Sequence, residues 1–184
     1  MKPAPFELVR PRSVAQAISY LEGRDGMAKA MAGGQSLVPM LNLRLSALEL
    51  VVDLSRIEDL KHASTRTDAI VFGACVTHAS IEDGRWPDPA NGLMRRVAGG
   101  IAYRAVRNRG TIGGSVALAD PSSDWVSLMV ALDAAVETQG PAEATRSIAA
   151  RDFVVGAYMT ALAEEEILTA LVVPRFSASA RFGH

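Results

Sequence analysis

The sequence predicts an α+β chain of two lobes. A small N-terminal α/β lobe spans residues 1–56, a larger lobe with an antiparallel sheet and helices spans 57–174, and a truncated tail covers 175–184. Three observations lead there. Strand and helix patterns alternate up to Arg56. Beyond it the alternation gives way to short apolar runs separated by turn residues. Each half also carries one glycine-rich stretch set against an element start: AGGQSLVPMLNLRL at 32–45 and RNRGTIGGSVALADPSSDW at 107–125.

The elements follow in order. Ser13 with Gln16 reads as a capping box, and Val14, Ala17, Ile18 and Leu21 recur at helical spacing. Ala28–Ala32 reads as a short buried strand. Leu37–Leu45 reads as a helix that tolerates Pro39 in its first turn, and Leu48–Leu54 is a β-branched apolar strand. In the second lobe Ala69–Cys75 is a strand, and Thr77 caps a short helix through Asp83. Residues 84–92 are loop, and Leu93–Tyr103 is a helix. Residues 111–118 read as strand. Ser122–Ala134 reads as helix on the spacing of Trp125, Leu128, Met129 and Leu132. Val136–Thr138, Arg146–Ala149 and Ile167–Val173 are further strands.

The bulk numbers exclude several classes. A chain of 184 residues, 49% hydrophobic and 21% charged, can bury a real core. A net charge of −1 gives no electrostatic reason to expect nucleic acid or an anionic membrane. Cys75 is the only cysteine, which excludes an intrachain disulfide. With three scattered histidines (His62, His78, His184) it cannot close a zinc or iron–sulfur site. MKPAPFELVRP has no apolar signal region, and Trp125–Val136 is too short and too polar to span a bilayer, so a cytoplasmic location is expected.

The chain has 15 glycines, an ordinary proportion, but Gly99, Gly100, Gly110, Gly113 and Gly114 crowd together. Glycine allows positive φ and lets a ligand approach main-chain N–H groups, and successive N–H groups can form an anion-binding nest. A helix starting just after Ser36 adds partial positive charge. Two such turns, one per lobe, could hold the two phosphates of a dinucleotide. Ordinary turns remain the alternative, since neither GxGxxG nor GxxxxGK[ST] occurs.

These same stretches, with FELVRPRSVAQAISYL at the start and DFVVGAYMTALAEEEILTALVVP near the end, resemble the FAD-binding medium subunit of molybdenum hydroxylases. That family includes carbon monoxide dehydrogenase and the flavin domain of xanthine dehydrogenase. The resemblance implies a two-lobed FAD domain of the vanillyl-alcohol-oxidase (PCMH) type, with the cofactor between the lobes. It assigns Ala32, Gly33, Gly34, Gln35, Ser36 and Leu37 to a first FAD loop, and Thr111, Ile112, Gly113, Gly114 and Ser115 to a second. Asp124 matches an acidic residue at the adenosine end, Leu168 an apolar residue near the cofactor, and Ile101 a similar packing position. Gln35 stands where relatives often have histidine, and both donate a hydrogen bond. Relatives continue past the strand ending at Pro174 with an aromatic residue, matched here by Phe182, then a basic residue and a C-terminal subdomain that this sequence does not contain.

The implied function is electron transfer. FAD would receive electrons from [2Fe–2S] clusters in a small partner subunit, fed by a molybdenum-cofactor large subunit, and deliver them to an external acceptor. No catalytic residue and no metal ligand is expected in this chain, whose task is to bind and orient the flavin. A self-contained flavin oxidoreductase of the same fold and a non-catalytic FAD-binding module remain as alternatives. Other residues have plainer readings: His78 as a surface or capping residue, Cys75 as a small buried hydrophobe, and Asp120 and Asp124 as helix caps outside the resemblance. Arg104, Arg107 and Arg109 read as a solvated face, with phosphate or subunit contact as the alternative.

Overall fold

A computed structural model describes residues 2–182; Gly183 and His184 lie outside the described residues. The first sheet is parallel and runs β1 (Glu7–Val9), β3 (Leu50–Asp53), β2 (Ala28–Met31). Helix α1 (Val14–Leu21) links β1 to β2, and α2 (Leu37–Asn42) links β2 to β3. Strand β3 is buried on both faces: Leu50 and Val52 pack on Ala17, Ile18 and Leu21 of α1, while Val51 packs with Leu41 and Leu48 on the side of α2. Such burial suits the continuous apolar run LELVVDL. Ser13 caps α1 by accepting from Gln16 N–H at 3.2 Å. The reciprocal bond of the expected capping box slips by one residue, with Gln16 Oε1 accepting from Arg12 N–H at 2.9 Å.

After two 3-10 turns (Leu54–Arg56 and Glu58–Leu60) the chain enters the second sheet. Its strands are antiparallel in the order β4 (Ala63–Thr65), β5 (Ala69–Gly73), β10 (Ile167–Pro174), β6 (Ala135–Gln139), β7 (Thr145–Ala149). The helices between β5 and β6 are α3 (His78–Glu82), α4 (Leu93–Gly100), α5 (Arg104–Arg107), α6 (Ile112–Leu118) and α7 (Asp124–Ala131). The short α8 (Ala150–Phe153) and the hairpin β8 (Val154–Gly156) and β9 (Met159–Thr160) complete the set. Phe72, Met94, Val97, Ile112, Trp125, Met129, Leu171 and Phe153 form one core between sheet and helices. Among the described residues no helix is long and apolar enough to cross a membrane.

Strand β10 joins the two cores. Side chains alternate across a strand, so Ile167 enters the core shared with α1 while Leu168 enters the core of the larger sheet. Ile57, Leu60 and Cys75 also pack with α1. Cys75 is accordingly a buried apolar residue whose thiol pKa burial pushes up to about 12.

Two expectations are corrected. Residues 112–118 are a helix, not a strand: Thr111 caps it by accepting from Gly114 N–H at 3.1 Å, and Ile112 and Val116, four apart, both enter the core. The run resembles a strand because its β-branched residues favour strands and Gly113 and Gly114 weaken the helical signal. Helix α4 stops at Gly100, short of the expected Tyr103, and Ala102 takes a left-handed φ of 42° before α5 begins. Phe182, in the tail, stacks edge-on against Phe176 at 5.1 Å and packs on the larger core.

The chain returning into β10 is pinned by Glu166, which is 7% exposed. Arg146 donates to Oε1 from Nε at 2.7 Å and to Oε2 from Nη2; Thr138 Oγ1 donates at 2.8 Å and Ala163 N–H at 3.0 Å. Burial alone would raise this carboxyl's pKa, but the donors from Arg146, Ala163 and Thr138 outweigh it and bring it to about 2. A lowered folded pKa means that its stabilisation is present above the ordinary glutamate range and is lost as pH falls toward 2. Glu166→Ala is expected to cost about 1–3 kcal/mol in urea unfolding at pH 7, because it orphans the buried Thr138 hydroxyl while half-exposed Arg146 keeps water. The difference between variant and wild type should shrink as the pH is lowered from 4.5.

Candidate functional site

The two glycine stretches, far apart in sequence, meet backbone to backbone. An alanine Cβ at Gly33 would lie 2.1 Å from the carbonyl oxygen of Arg109 and 2.8 Å from Cα of Gly110. Ala32 lies beside Gly114, whose own Cβ would sit 3.6 Å from that of Ala32. Gly113 is equally tight below: a Cβ there would be 2.6 Å from Cα of Ala74. Only glycine permits the approaches at Gly33 and Gly113.

The two turns differ in their free donors. In the first, Gly34 takes φ 70° and Gln35 Nε2 donates to Gly33 O at 3.1 Å. Among the described residues no protein acceptor takes the N–H of Gly33, Gly34, Gln35, Ser36 or Leu37, and the Ser36 hydroxyl makes no cap bond. These residues are partly or fully exposed, so a run of uncommitted donors faces solvent at the start of α2. In the second turn the donors are spent: Ile112 N–H goes to Val76 O, Gly113 to Ala74 O, Gly114 to Thr111 Oγ1 and Ser115 to Thr111 O, at 3.0–3.1 Å. The expectation of one phosphate nest per turn therefore divides. The first turn has N–H groups left free; among the glycines of the second only Gly114 is partly exposed, while Gly113 is buried against Ala74.

The other expected residues take distinct places. Ser115 is partly exposed on α6, beside Gly114. Asp124 opens α7, exposed and without a side-chain cap bond. Neither aspartate caps α7, whose N-cap is Ser123 without a side-chain cap bond; Asp120 accepts from Ser122 N–H at 2.9 Å in the turn ahead of the helix. Ile101 is partly buried against the larger core at the end of α4. Ile112 and Leu168, at 0% and 4% exposure, are core side chains that support the second turn from behind. Leu37 packs against the core under α2.

His78 is a correction. It is 3% exposed, not at the surface, and its Nδ1 accepts from Trp125 Nε1–H at 3.0 Å. Its backbone N–H donates to Gly110 O at 3.0 Å, and an alanine Cβ at Gly110 would come within 2.8 Å of Nε2. His78 thus packs directly beneath the joint of the two turns and ties it to the start of α7. No local signal relates His78 to Trp125, which is why sequence reasoning missed it. Burial, followed by the charge of Arg107, lowers its pKa to about 4.

The arginine cluster also divides. Arg104 is a half-exposed ion pair with Glu82 and Asp83. Arg107, at 12% side-chain exposure, is no solvated residue but a clamp. Arg109 is exposed, and among the described residues its guanidinium pairs with no carboxylate.

This arrangement has close counterparts. Residues 4–176 match the family model for the FAD binding domain in molybdopterin dehydrogenase. The chain belongs to that family. It is 38% identical over 174 residues to the carbon monoxide dehydrogenase medium chain of Afipia carboxidovorans, covering 95% of this chain and 60% of that one. It is also 38% identical to the nicotine 6-hydroxylase medium subunit of Paenarthrobacter nicotinovorans, covering 95% and 61%. Its fold matches the solved carbon monoxide dehydrogenase of Hydrogenophaga pseudoflava with a TM-score of 0.92 at 36% identity, over 97% of this chain and 62% of that one. The chain of this FAD-domain family thus spans about three fifths of the length of the curated relatives it matches.

Two outcomes are expected. Gly33→Ala should destabilise by about 1–3 kcal/mol, since its methyl group meets rigid backbone, whereas Gly100→Ala, with nothing within 4 Å, should be neutral or stabilising by up to about 1 kcal/mol. Urea unfolding of both variants checks this. For His78, unfolded histidine takes up a proton below about pH 6.5 while the folded residue resists to about 4. The unfolded state then binds more protons, so stability falls as pH drops from 6.5 to 4, by up to roughly 3 kcal/mol at 1.36 kcal/mol per unit. His78→Gln should lack this part of the slope.

Proposed function

We propose that this chain is the FAD-binding portion of the medium subunit of a molybdenum-containing hydroxylase or dehydrogenase, with a fold of the vanillyl-alcohol-oxidase (PCMH) type. The observation that carries the reading is the run of uncommitted N–H groups from Gly33 to Leu37, set beside the partly exposed Gly114 of the second turn. The residues fit the cofactor. The free donors suit a pyrophosphate, whose charge they meet without displacing any internal hydrogen bond. Gly114 and Ala32 leave space beside them, Ser36 and Ser115 offer hydroxyl groups, and the uncapped Asp124 can accept from a sugar hydroxyl. When bound, FAD supplies the redox chemistry, taking electrons from [2Fe–2S] clusters of a partner subunit and passing them to an external acceptor.

The chain's own part is to hold, orient and shield. Ala32, Gly33, Gly34, Gln35, Ser36 and Leu37 form the first contact loop, and Thr111, Ile112, Gly113, Gly114 and Ser115 the second. Ile101, Asp124 and Leu168 complete the site. No side chain of this set is asked to move a proton, which agrees with the absence of a nucleophile–base pair among these residues. The partners are a molybdenum-cofactor large subunit and a [2Fe–2S] small subunit in a hetero-oligomer. These subunit roles rest on family membership and on the likeness to medium chains, one of them of a carbon monoxide dehydrogenase.

The test is direct binding. FAD titrated into the apo chain is expected to bind stoichiometrically, with a perturbed flavin spectrum. Gly34→Val puts a branched side chain at φ 70°, against Met31 and Val38, and should abolish binding. Asp124→Ala should weaken it by roughly 1–3 kcal/mol, the range for removing one partner of a hydrogen bond in a ligand site. A loss of thermal stability in Asp124→Ala at unchanged FAD affinity would return Asp124 to a purely structural role.

A further inference from the structure

Helix α5 is a single turn, and everything it carries bears on the shelf between the lobes. Its start follows the Ile101–Ala102 turn, and just past its end lie Arg109, whose carbonyl touches Gly33, and Gly110, which rests on His78. So short a helix is not stable by itself and needs an external anchor. Arg107 is that anchor.

Its guanidinium is used on every side. Nη1 donates to Ile101 O at 2.9 Å and to Ala102 O at 3.0 Å. Nε and Nη2 grip the two oxygens of Glu82, in α3, at 2.8 and 3.0 Å. The two carbonyls converge on one cation, which offsets their mutual repulsion. Ala102 is held at φ 42°, a left-handed conformation that costs energy for a residue with a Cβ. Arg104 provides the contrast. It binds Glu82 and Asp83 from the outside, is 47% exposed, and touches neither carbonyl. Lysine could replace the charge of Arg107 but not its planar fork.

We propose that Arg107 is a positioning residue of the cofactor site, holding the Ile101–Ala102 turn and the end of α5 so that Ile101 and the Arg109–Gly110 joint keep their places on the shelf. This inference rests on the reading that FAD is the ligand of that shelf. Arg107 touches no ligand itself; it acts through the backbone it holds.

The experiment measures FAD affinity by titration on the full 184-residue chain, with the folded fraction of each apo variant taken from its melting curve. Arg107→Lys is expected to weaken FAD binding at least tenfold after correction for the folded fraction. Arg104→Lys should stay within twofold of wild type. Adding Ala102→Gly to Arg107→Lys should recover at least threefold of the lost affinity, because glycine adopts the left-handed conformation without help. Should Arg107→Lys fail to fold, Glu82→Gln decides: it leaves the guanidinium but removes the carboxylate that aims it, and should weaken binding several-fold. Arg107 has no positioning role if its lysine variant binds within twofold of wild type, if Arg104→Lys loses as much, if Ala102→Gly recovers nothing, or if Glu82→Gln is unchanged. Failure of the wild-type chain to bind FAD would remove the functional reading, and this inference with it. Normal wild-type binding with unaffected variants would remove only this inference.

Discussion

Two backbone segments, Gly33 and Arg109–Gly110, approach each other more closely than any side chain allows, and the geometry between the two glycine turns depends on that contact. With a Cβ 2.1 Å from a carbonyl oxygen, no rotamer adjustment relieves the clash, because both parties are main chain. The contact brings Ala32 beside Gly114 and sets the free N–H groups of the first turn close to the second turn. Each glycine loses more conformational freedom on folding than alanine would, by roughly 0.5–1 kcal/mol, and the surrounding cores offset that cost. Strand β10 makes the offset collective, since Ile167 and Leu168 lie in separate cores.

Around this joint the polar groups divide between support and display. Those beneath it are satisfied by the protein: His78 accepts from Trp125, Thr111 caps α6, and Arg107 spans Glu82 and two carbonyls. Those of the first turn are free: the amides from Gly33 to Leu37 and the Ser36 hydroxyl. A buried polar group without a partner is costly, so the support must be complete, whereas exposed donors are hydrated at little cost until a ligand arrives. Neutral, buried His78 fits the same logic. A charge there would lie unpaired near Arg107, and its lowered pKa keeps it neutral. The support is rigid, and recognition is left to main-chain groups whose positions do not depend on rotamers.

Membership of the FAD-domain family agrees with this division. A flavin performs its own redox chemistry and asks of the protein a place, an orientation and an electrostatic setting. In the proposed site the chain would supply them with glycine, amide and hydroxyl groups, not with a nucleophile or base. The medium chains it resembles carry different substrates in their names, carbon monoxide and nicotine among them.

The sequence by itself determined what local pattern can encode. Continuous β-branched apolar runs made β3 and β5, Ser13 and Thr77 capped their helices, and the paired glycine stretches marked both halves of the candidate site. Periodicity and capping act over a few residues, so they are readable without the fold. It could not show that residues 112–118 are helical, because the run's β-branched residues favour strands and its two glycines weaken the helical signal, and the core claimed by Ile112 and Val116 decided the matter. Nor could it show which turn keeps its amides free. That depended on Ala74 and Val76, whose carbonyls consume the donors of the second turn. His78 and Arg107 looked like surface residues for the same reason. Their burial comes from Trp125, Glu82 and the Ile101–Ala102 turn, partners that only chain folding brings within hydrogen-bonding distance.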